Sequence, residues 1–541
     1  VAGAAQVAQV APALAASAEA ATAAGPPADH PAGQNLTVDL LGATSEPVEP
    51  VELHWLEGSA PGEPVGVTFG VPWPRGRLPR DQRFALTTPD GAPVPVQTWP
   101  TGFWPDGTLK WTAHAVAATA PVAATLRLSP GDPARPATAV SVRQSRDAVD
   151  VDTGVTVTRV QRRGRTLIAS ITRAGVEIAR SGQLVLVRQD SSDDDPEGDR
   201  TARRERFLGE VERVTVEQTG PVRAVVRVDG RHRAERGSRR WLPFTVRMYW
   251  YAGSEQLRMV HSFVFDGDPA RDRIRGLGVR FAVPMRDAQH DRHVRFTSAD
   301  GGVFAEAVRG VTGLRRDPGA AVRTAQVAGE PTPPVATWDT RVSSRLELIP
   351  TWGDHTLSQV CADGYTIRKR TRPGYTWIPA AAGGRAGGLG YVGGVSGGLA
   401  FGLRDCWQRH PTQLDIRDAA SDTATVTVWL WAPDAAPMDL RFYHDGLGMD
   451  TFPEQLQGLE ITYEDYEPGF GSPYGVARTS ELVFWAHAAT PPAARLAGQS
   501  AVLAAPPLLM ATPARLHAAG VFGDWSPVDR STPARARIED R

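Results

Sequence analysis

The chain has 541 residues, enough for two or three domains with sizeable cores. Lysine and arginine total 59 and aspartate and glutamate 60, so the formal net charge of −1 excludes a single-signed field drawing the chain to nucleic acid or to a membrane surface. Glycine (54) and proline (45) make up nearly a fifth of the residues, which excludes an architecture of long helices and favours short strands joined by turns.

Residues 1–24, almost all small and apolar, read as the tail of a signal region running into small-residue cleavage sites such as Ala13-Leu14-Ala15; a disordered Ala/Pro linker is the rival reading. Residues 25–49 read as such a linker. Residues 1–50 are therefore expected to be a signal-peptide remnant and linker, and the protein to be secreted. No other apolar run approaches the roughly 18 residues of a membrane span, so no membrane partner is expected.

From Val51 to about residue 145 the pattern is of strands: Val65–Phe69, Val94–Thr98 and Thr108–Ala115 are rich in β-formers. Pro105-Asp106-Gly107 supplies a tight turn before the last of these, because glycine admits positive φ and proline presets the entry. Trp73, Trp99, Trp104 and Trp111 suit either the core of a small barrel or a sugar-stacking surface.

From 146 to 504 strand follows strand: Val222–Val228, Phe244–Trp250, Leu257–Phe265, Ile274–Val283 and Thr425–Trp431, the last with its Trp pair on one face. Helical periodicity is weak; Phe452–Leu459 and Pro513–Ala519 are short helical turns at most. Ser191–Arg200 is an acidic solvated loop. The fold class is all-β, a small N-terminal barrel followed by a large antiparallel β-sandwich. The tail, 505–541, ends on RARIEDR with no helix-stop signal.

The chemistry-bearing stretch runs from Gly364 to Ile416. Arginine has taken nearly every basic position, since only Lys110 and Lys369 are lysine. A lysine kept in such a chain suits a role that needs a proton to come off, because burial can pull its pKa toward neutrality whereas arginine stays charged; chance survival is the alternative. As a strand, Tyr365–Arg372 puts Arg368, Arg370 and Arg372 on one face and Tyr365 and Lys369 on the other. Charges along a solvated sheet edge would give the same arginine face. Gly383–Gly398 holds nine glycines without a phosphate-loop signature, and reads as room for a sugar chain or as tight turns. Cys361 and Cys406 make either one disulfide or two free thiols, without zinc spacing.

Asp439, Asp445, Asp450, Glu460, Glu464, Asp465 and Glu467 form an acidic neighbourhood. It reads first as a solvated loop, then as a calcium site, then as a carboxylate pair for glycoside hydrolysis.

The segments FGVPWPRGRLP, TWPTGFWPDGTLKWTAHAV, RGLGVRFAVPM, IRKRT, GLRDCWQRHPTQLDI, VWLWAPDAAPMDLRFYHDG, EDYEPGFGSPYGVARTSEL and PPLLMATPARLHAAGVFGDWSPVDR, in this order, resemble the exo-rhamnogalacturonan lyase (YetA-like) family of polysaccharide lyases. The resemblance runs from about Val51 to Arg541. It implies an N-terminal RIFT-type barrel, a central β-sandwich and then a C-terminal α/α toroid, with 505–541 a connector toward a toroid absent from this chain, which alone is expected to be inactive. At Cys406 the family pattern has an aromatic, so no role passes to that cysteine.

The implied reaction is β-elimination in a uronate-containing polysaccharide outside the cell. Such a reaction needs a positive group on the C6 carboxylate, a base for the C5 proton and an acid for the departing oxygen. The candidate proton-transfer residues are Lys369, Tyr365 and His410, the last equally at home as a structural histidine. The candidate substrate-binding residues are Arg368, Arg370, Arg372, Tyr375, Trp377, Trp407 and Arg409, guanidinium forks for carboxylates and aromatic faces for sugar rings. No cofactor is required, and no protein metal ligand set is assigned beyond the calcium reading. A non-catalytic carbohydrate-binding protein and a glycoside hydrolase are the alternatives.

Overall fold

The computed structural model describes residues 48–120, 123–191, 202–269, 271–440 and 473–541. The first domain is a small barrel of two sheets. In one, Val51–Trp55 lies between Leu509–Ala511 and Thr125–Pro130, with Phe84–Thr87 and Pro93–Val94 beyond; in the other, Leu109–Val116 lies between Val67–Pro72 and Val96–Phe103. Alternation builds it: Val51, Leu53 and Trp55 turn inward to meet Phe69, Phe84, Leu86, Leu126 and Leu128, with Leu509 and Ala511 joining from 380 residues or more further along the chain. Trp73 closes this core. It is fully buried, stacks on Phe84 at 5.0 Å and donates its indole N–H to Thr112 Oγ1 at 2.7 Å. Trp99, Trp104 and Trp111 stay half-buried at the rim, where Arg223 lies over Trp99, Lys110 over Trp104 and Phe522 against Trp111.

The second domain is one long antiparallel sheet that curls into a sandwich. Backbone pairing runs from Ile378–Gly383 through Gly364–Arg370, Asp354–Cys361, Thr412–Arg417, Thr423–Trp431 and Arg273–Pro284 to Val176–Gln189. It continues through Arg204–Thr219, Arg223–Ala234, Arg240–Tyr251, Gln256–Val264, Ala477–His487, Gly397–Leu403, Ala386–Gly394 and Arg292–Ser298 to Val303–Ala307. Four shorter strands between Ser141 and Arg173 extend from Val176–Gln189 as a side branch. The enclosed core is aliphatic and aromatic, with Trp250, Phe281, Phe296, Phe401 and Phe484 among its fully buried members. The all-β expectation is met in both domains.

Among the described residues the two end strands each pair on one side only, Val303–Ala307 with Arg292–Ser298 and Ile378–Gly383 with Gly364–Arg370. Curling, driven by strand twist, brings these ends toward one another. The sandwich therefore has a seam.

Several expectations change here. The glycine-rich stretch is neither open loop nor room for a ligand: Ala386–Gly394 and Gly397–Leu403 form a buried hairpin. A Cβ on Gly393 would sit 2.5 Å from the Gly398 Cα and from the Tyr391 hydroxyl, so the backbones meet only because both residues are glycine. Helix is also more extensive than periodicity suggested. Ala493–Ala504 packs against that hairpin, and Ala320–Ala328 belongs to an inserted segment with its own small core of Val311, Val322, Trp338 and Val342. Pro513–Ala518 and Pro533–Glu539 are short helices, each opened by a threonine cap followed by proline. Cys361 is exposed and Cys406 buried, and both are free thiols.

The acidic loop beyond Ser191, the turn expected at Phe452–Leu459 and the carboxylates from Asp445 to Glu467 lie outside the described residues. Asp439 is described: it is ion-paired with Arg273 at 3.3 Å. No helix among the described residues is long and apolar enough to cross a membrane.

Candidate functional site

The strand Gly364–Arg370 lies next to one end of the sheet, and its alternation sorts the candidate residues. Ile367 is buried in the sandwich core, and Lys369, two residues on, reaches across the seam. Its ammonium donates to Glu306 Oε1 on the opposite end strand and lies 4.2 Å over the Trp352 ring. Glu306 is opposite Val294 in the register, and Val294 is core, so this carboxylate turns inward rather than to solvent. Behind it stands His355, cross-strand neighbour of Lys369, wholly buried, with Nε2 3.5 Å from Glu306 Oε2.

Lys369, Glu306 and Trp352 border a cleft of about 510 Å³ lined by both sides of the seam, Phe304 to Ala307 from one end strand and Lys369 and Ala380 from the other sheet end. Gly310, Thr312, Gln326 and Val327 of the inserted segment form a further wall. His293 and Arg295 line it from the other face of the edge strand, opposite Ala307 and Ala305 in register. Arg295 is buried, with its guanidinium donating to Pro491 O (2.6 Å) and Ala328 O (3.2 Å).

Burial pushes the Glu306 carboxyl up, but the His355 and Lys369 contacts outweigh it and leave the group below the usual carboxylate range. Burial pulls His355 down, partly offset by Glu306. His293 is pulled down to about 4 by burial and then by the Arg295 charge. The cleft thus brings together the Lys369–Glu306 pair, the Trp352 ring and the neutral His293 imidazole, with His355 buried behind Glu306.

The other candidates lie elsewhere. Arg370 donates to Asp354 Oδ2 at 2.7 Å, Arg368 pairs with Asp434, and Arg417 pairs with Asp415 at 2.9 Å. All three guanidiniums lie over the Trp377 ring, at 4.5, 5.8 and 5.0 Å. The arginine face exists as the alternation predicts, but its forks hold the protein's own aspartates. Arg372 is bonded to the Tyr375 hydroxyl at 2.6 Å and stacks on its ring. Tyr365 is four residues from Lys369 along one strand, roughly 13 Å, beyond hydrogen-bond reach. Its hydroxyl is pushed up by burial.

His410 is exposed, with Nδ1 3.0 Å from Trp407 O, and Arg409 donates to Thr479 O. Trp407 lies under Arg385 at 4.0 Å and borders a separate cavity of about 120 Å³. Of the predicted site residues, Lys369 alone lines the seam cleft. Among the described residues no group of three or more His, Cys, Asp or Glu is arranged to hold a metal.

One consequence is testable directly. The Arg368–Asp434 pair is partly exposed, and pairs of that kind contribute about 0–1 kcal/mol. Arg368→Lys should therefore shift the urea midpoint only slightly; a loss of several kcal/mol would mean that the pair and its stacking on Trp377 hold the sheet end together.

Glu306, His355, His293, Arg295 and Trp352 were missed from the sequence. The alternation of Asp354–Cys361 places His355 and Leu357 on one face, but which strand lay beside it was not readable. Nothing in VFAEA marks Glu306 as the partner of a lysine 63 residues away.

Residues 140–501 match the central beta sandwich domain of PcRGLX-like proteins, and residues 49–131 match the N-terminal RIFT barrel domain. The chain belongs to the PcRGLX-like family. Residues 506–541 match the C-terminal alpha/alpha toroid domain of the same family, which overturns the expectation that the toroid is absent; both short C-terminal helices lie in that stretch. This PcRGLX-like chain is 29% identical over 494 residues to the uncharacterized protein YetA of Bacillus subtilis (strain 168). The match covers 91% of the chain and 55% of YetA, so the chain spans about half the length of that relative. Among solved structures, a glycosyl hydrolase family 38 protein from Enterococcus faecalis aligns with TM-score 0.44 and 10% identity, over 86% of this chain and 47% of its own. A putative aldose 1-epimerase from Klebsiella pneumoniae aligns with TM-score 0.30 and 7% identity, over 66% and 83%.

Proposed function

We propose that this chain is the β-rich part of an extracellular polysaccharide lyase that cleaves rhamnogalacturonan-like, uronate-containing glycans by β-elimination in the seam cleft. The observation that carries the reading is Lys369: one of two lysines in an arginine-rich chain, placed at the cleft, ion-paired with Glu306 and laid on Trp352. In β-elimination the C5–H and C4–O bonds break and a C4=C5 double bond forms. Lys369 is the proton-transfer group: as the free amine it takes the C5 proton. The C5–H electrons form the double bond as the C4–O bond breaks, and the ammonium so formed hands that proton to the departing glycosidic oxygen. Family membership supports the reading, and the cleft volume suits a monosaccharide unit. Calcium remains a proposal for the acidic neighbourhood alone, with Asp439 already occupied by Arg273.

The test is the product made by the full-length protein from rhamnogalacturonan. An unsaturated uronate end, absorbing in the ultraviolet, is expected. A saturated reducing end would mean hydrolysis, and binding without any product would mean a carbohydrate-binding protein.

A further inference from the structure

Lys369 does not stand alone, and the residues behind it have an arrangement that packing does not explain. His355 is wholly buried, and neither of its ring nitrogens makes a full hydrogen bond. The nearest carboxylate oxygen it faces, Glu306 Oε2 at 3.5 Å, also lacks a full hydrogen bond. The other Glu306 oxygen is taken by Lys369. The carboxylate thus bridges an ammonium and an imidazole, and it does so across the seam, where no backbone ladder fixes the distance between the two end strands.

The surrounding charges are accounted for. Asp354, next to His355 in the chain, turns to Arg370 and to the Asp418 amide. Arg417 donates to the His355 carbonyl, not to its ring. Arg368 is held by Asp434 on the other face of the strand. Arg295 and His293 lie on the far face of the edge strand. Phe304, at 6.5 Å between centroids, is the described aromatic beside the imidazole. What the ring can act on is Glu306. A leucine of similar volume would fill the same space without stranding two nitrogens.

We propose that His355 and Glu306 are positioning residues for Lys369: His355 holds one oxygen of Glu306 so that the other stays on the Lys369 side chain and fixes where it points into the cleft. The proposal rests on the reading of Lys369 as the proton-transfer group. The physical basis is Coulombic. A carboxylate within about 4–6 Å of an amine shifts its titration by about 1–3 units, and that effect decays if the carboxylate rotates away to water. Without the imidazole, Glu306 keeps its charge but loses the group that fixes its orientation.

The lysine count makes this measurable without any activity. Reductive methylation with ¹³C-formaldehyde gives a dimethyl NMR signal from Lys369 and one from Lys110, which lies over Trp104 at the barrel rim and serves as internal reference. The N-terminal amine gives a third, told apart by its lower titration at about 8. Glu306→Gln should lower the Lys369 titration midpoint by about 1–3 units relative to the unsubstituted protein. His355→Leu should lower it by less, and His355→Gln, which restores a donor, should bring it back. The Lys110 signal should not move in any of them. In the full-length protein the pH profile of kcat should shift with the Lys369 midpoint.

An unchanged Lys369 midpoint in Glu306→Gln, or equal midpoints in His355→Leu and His355→Gln, overturns the proposal. Glu306→Gln keeps the side-chain shape, so it reports even where His355→Leu does not fold. The two readings separate cleanly. Shifted midpoints with no unsaturated product at any pH leave the positioning role standing and remove the lyase. Unsaturated product with unmoved midpoints does the reverse.

Discussion

Lys369→Arg is expected to cost the full-length protein about 10²- to 10⁴-fold in kcat, with KM little changed. The logic is differential. Arginine keeps the positive charge, forms the stronger bidentate pair with a carboxylate such as Glu306, and stacks at least as well on Trp352. If the cleft needs only a cation there, the substitution is nearly silent. If it needs a proton to leave, arginine fails, because its pKa lies above about 12. The size of the expected loss is the usual worth of general acid–base catalysis, and it falls on kcat because charge and shape, which govern binding, are preserved. Steady-state kinetics on rhamnogalacturonan decide it. A loss of only a few fold would make Lys369 a charge and nothing more, and would move the chemistry elsewhere in the protein.

How far the sequence led to this site depends on which contacts are local. Strand alternation and turn chemistry are local, so the all-β class, the two-domain order and the opposite facing of Lys369 and Arg368 were legible. Lys369 itself was legible for a compositional reason, its rarity. What was not legible is the pairing across the seam. Glu306 meets Lys369 only because a long sheet curls until its ends face each other, and no short-range pattern encodes that closure. The aspartates that claim the arginine face were hidden for the same reason, Asp354 lying on a neighbouring strand and Asp434 beyond another. The helix Ala493–Ala504 was missed on different grounds. Its buried face carries Gln499 and Ser500, which bond His487 and the glycine hairpin, so polar residues occupy positions where apolar periodicity would signal a helix.

The second large effect is on stability, and it comes from histidines that face no solvent. His114 and His261 are pushed down to about 3, and His232, His293 and His487 to about 4, in each case chiefly by burial, which disfavours the charged ring. In the unfolded chain each returns to about 6.5. Above that pH neither state holds the proton, and these groups leave stability unaffected. As pH falls below about 6.5 the unfolded state binds protons that the folded state refuses, so stability drops by about 1.4 kcal/mol per pH unit for each histidine, until the folded pKa values are reached. Five such groups acting together amount to about 7 kcal/mol per unit, against a typical total of about 5–15 kcal/mol. The protein should therefore unfold near pH 5, before its ion-paired carboxylates titrate. Urea midpoints followed by circular dichroism between pH 8 and pH 4.5 measure it, and a flat profile across that window would contradict the assignment. His261 offers the sharpest single test, since both its nitrogens are buried without a partner between Phe244 and Phe263. His261→Leu removes two unsatisfied polar atoms, each costing about 1–3 kcal/mol when buried, and one acid-sensitive proton. It should raise stability at neutral pH and move the acid midpoint lower; destabilisation that is equal at pH 8 and pH 5 would mean that the imidazole serves packing rather than titration.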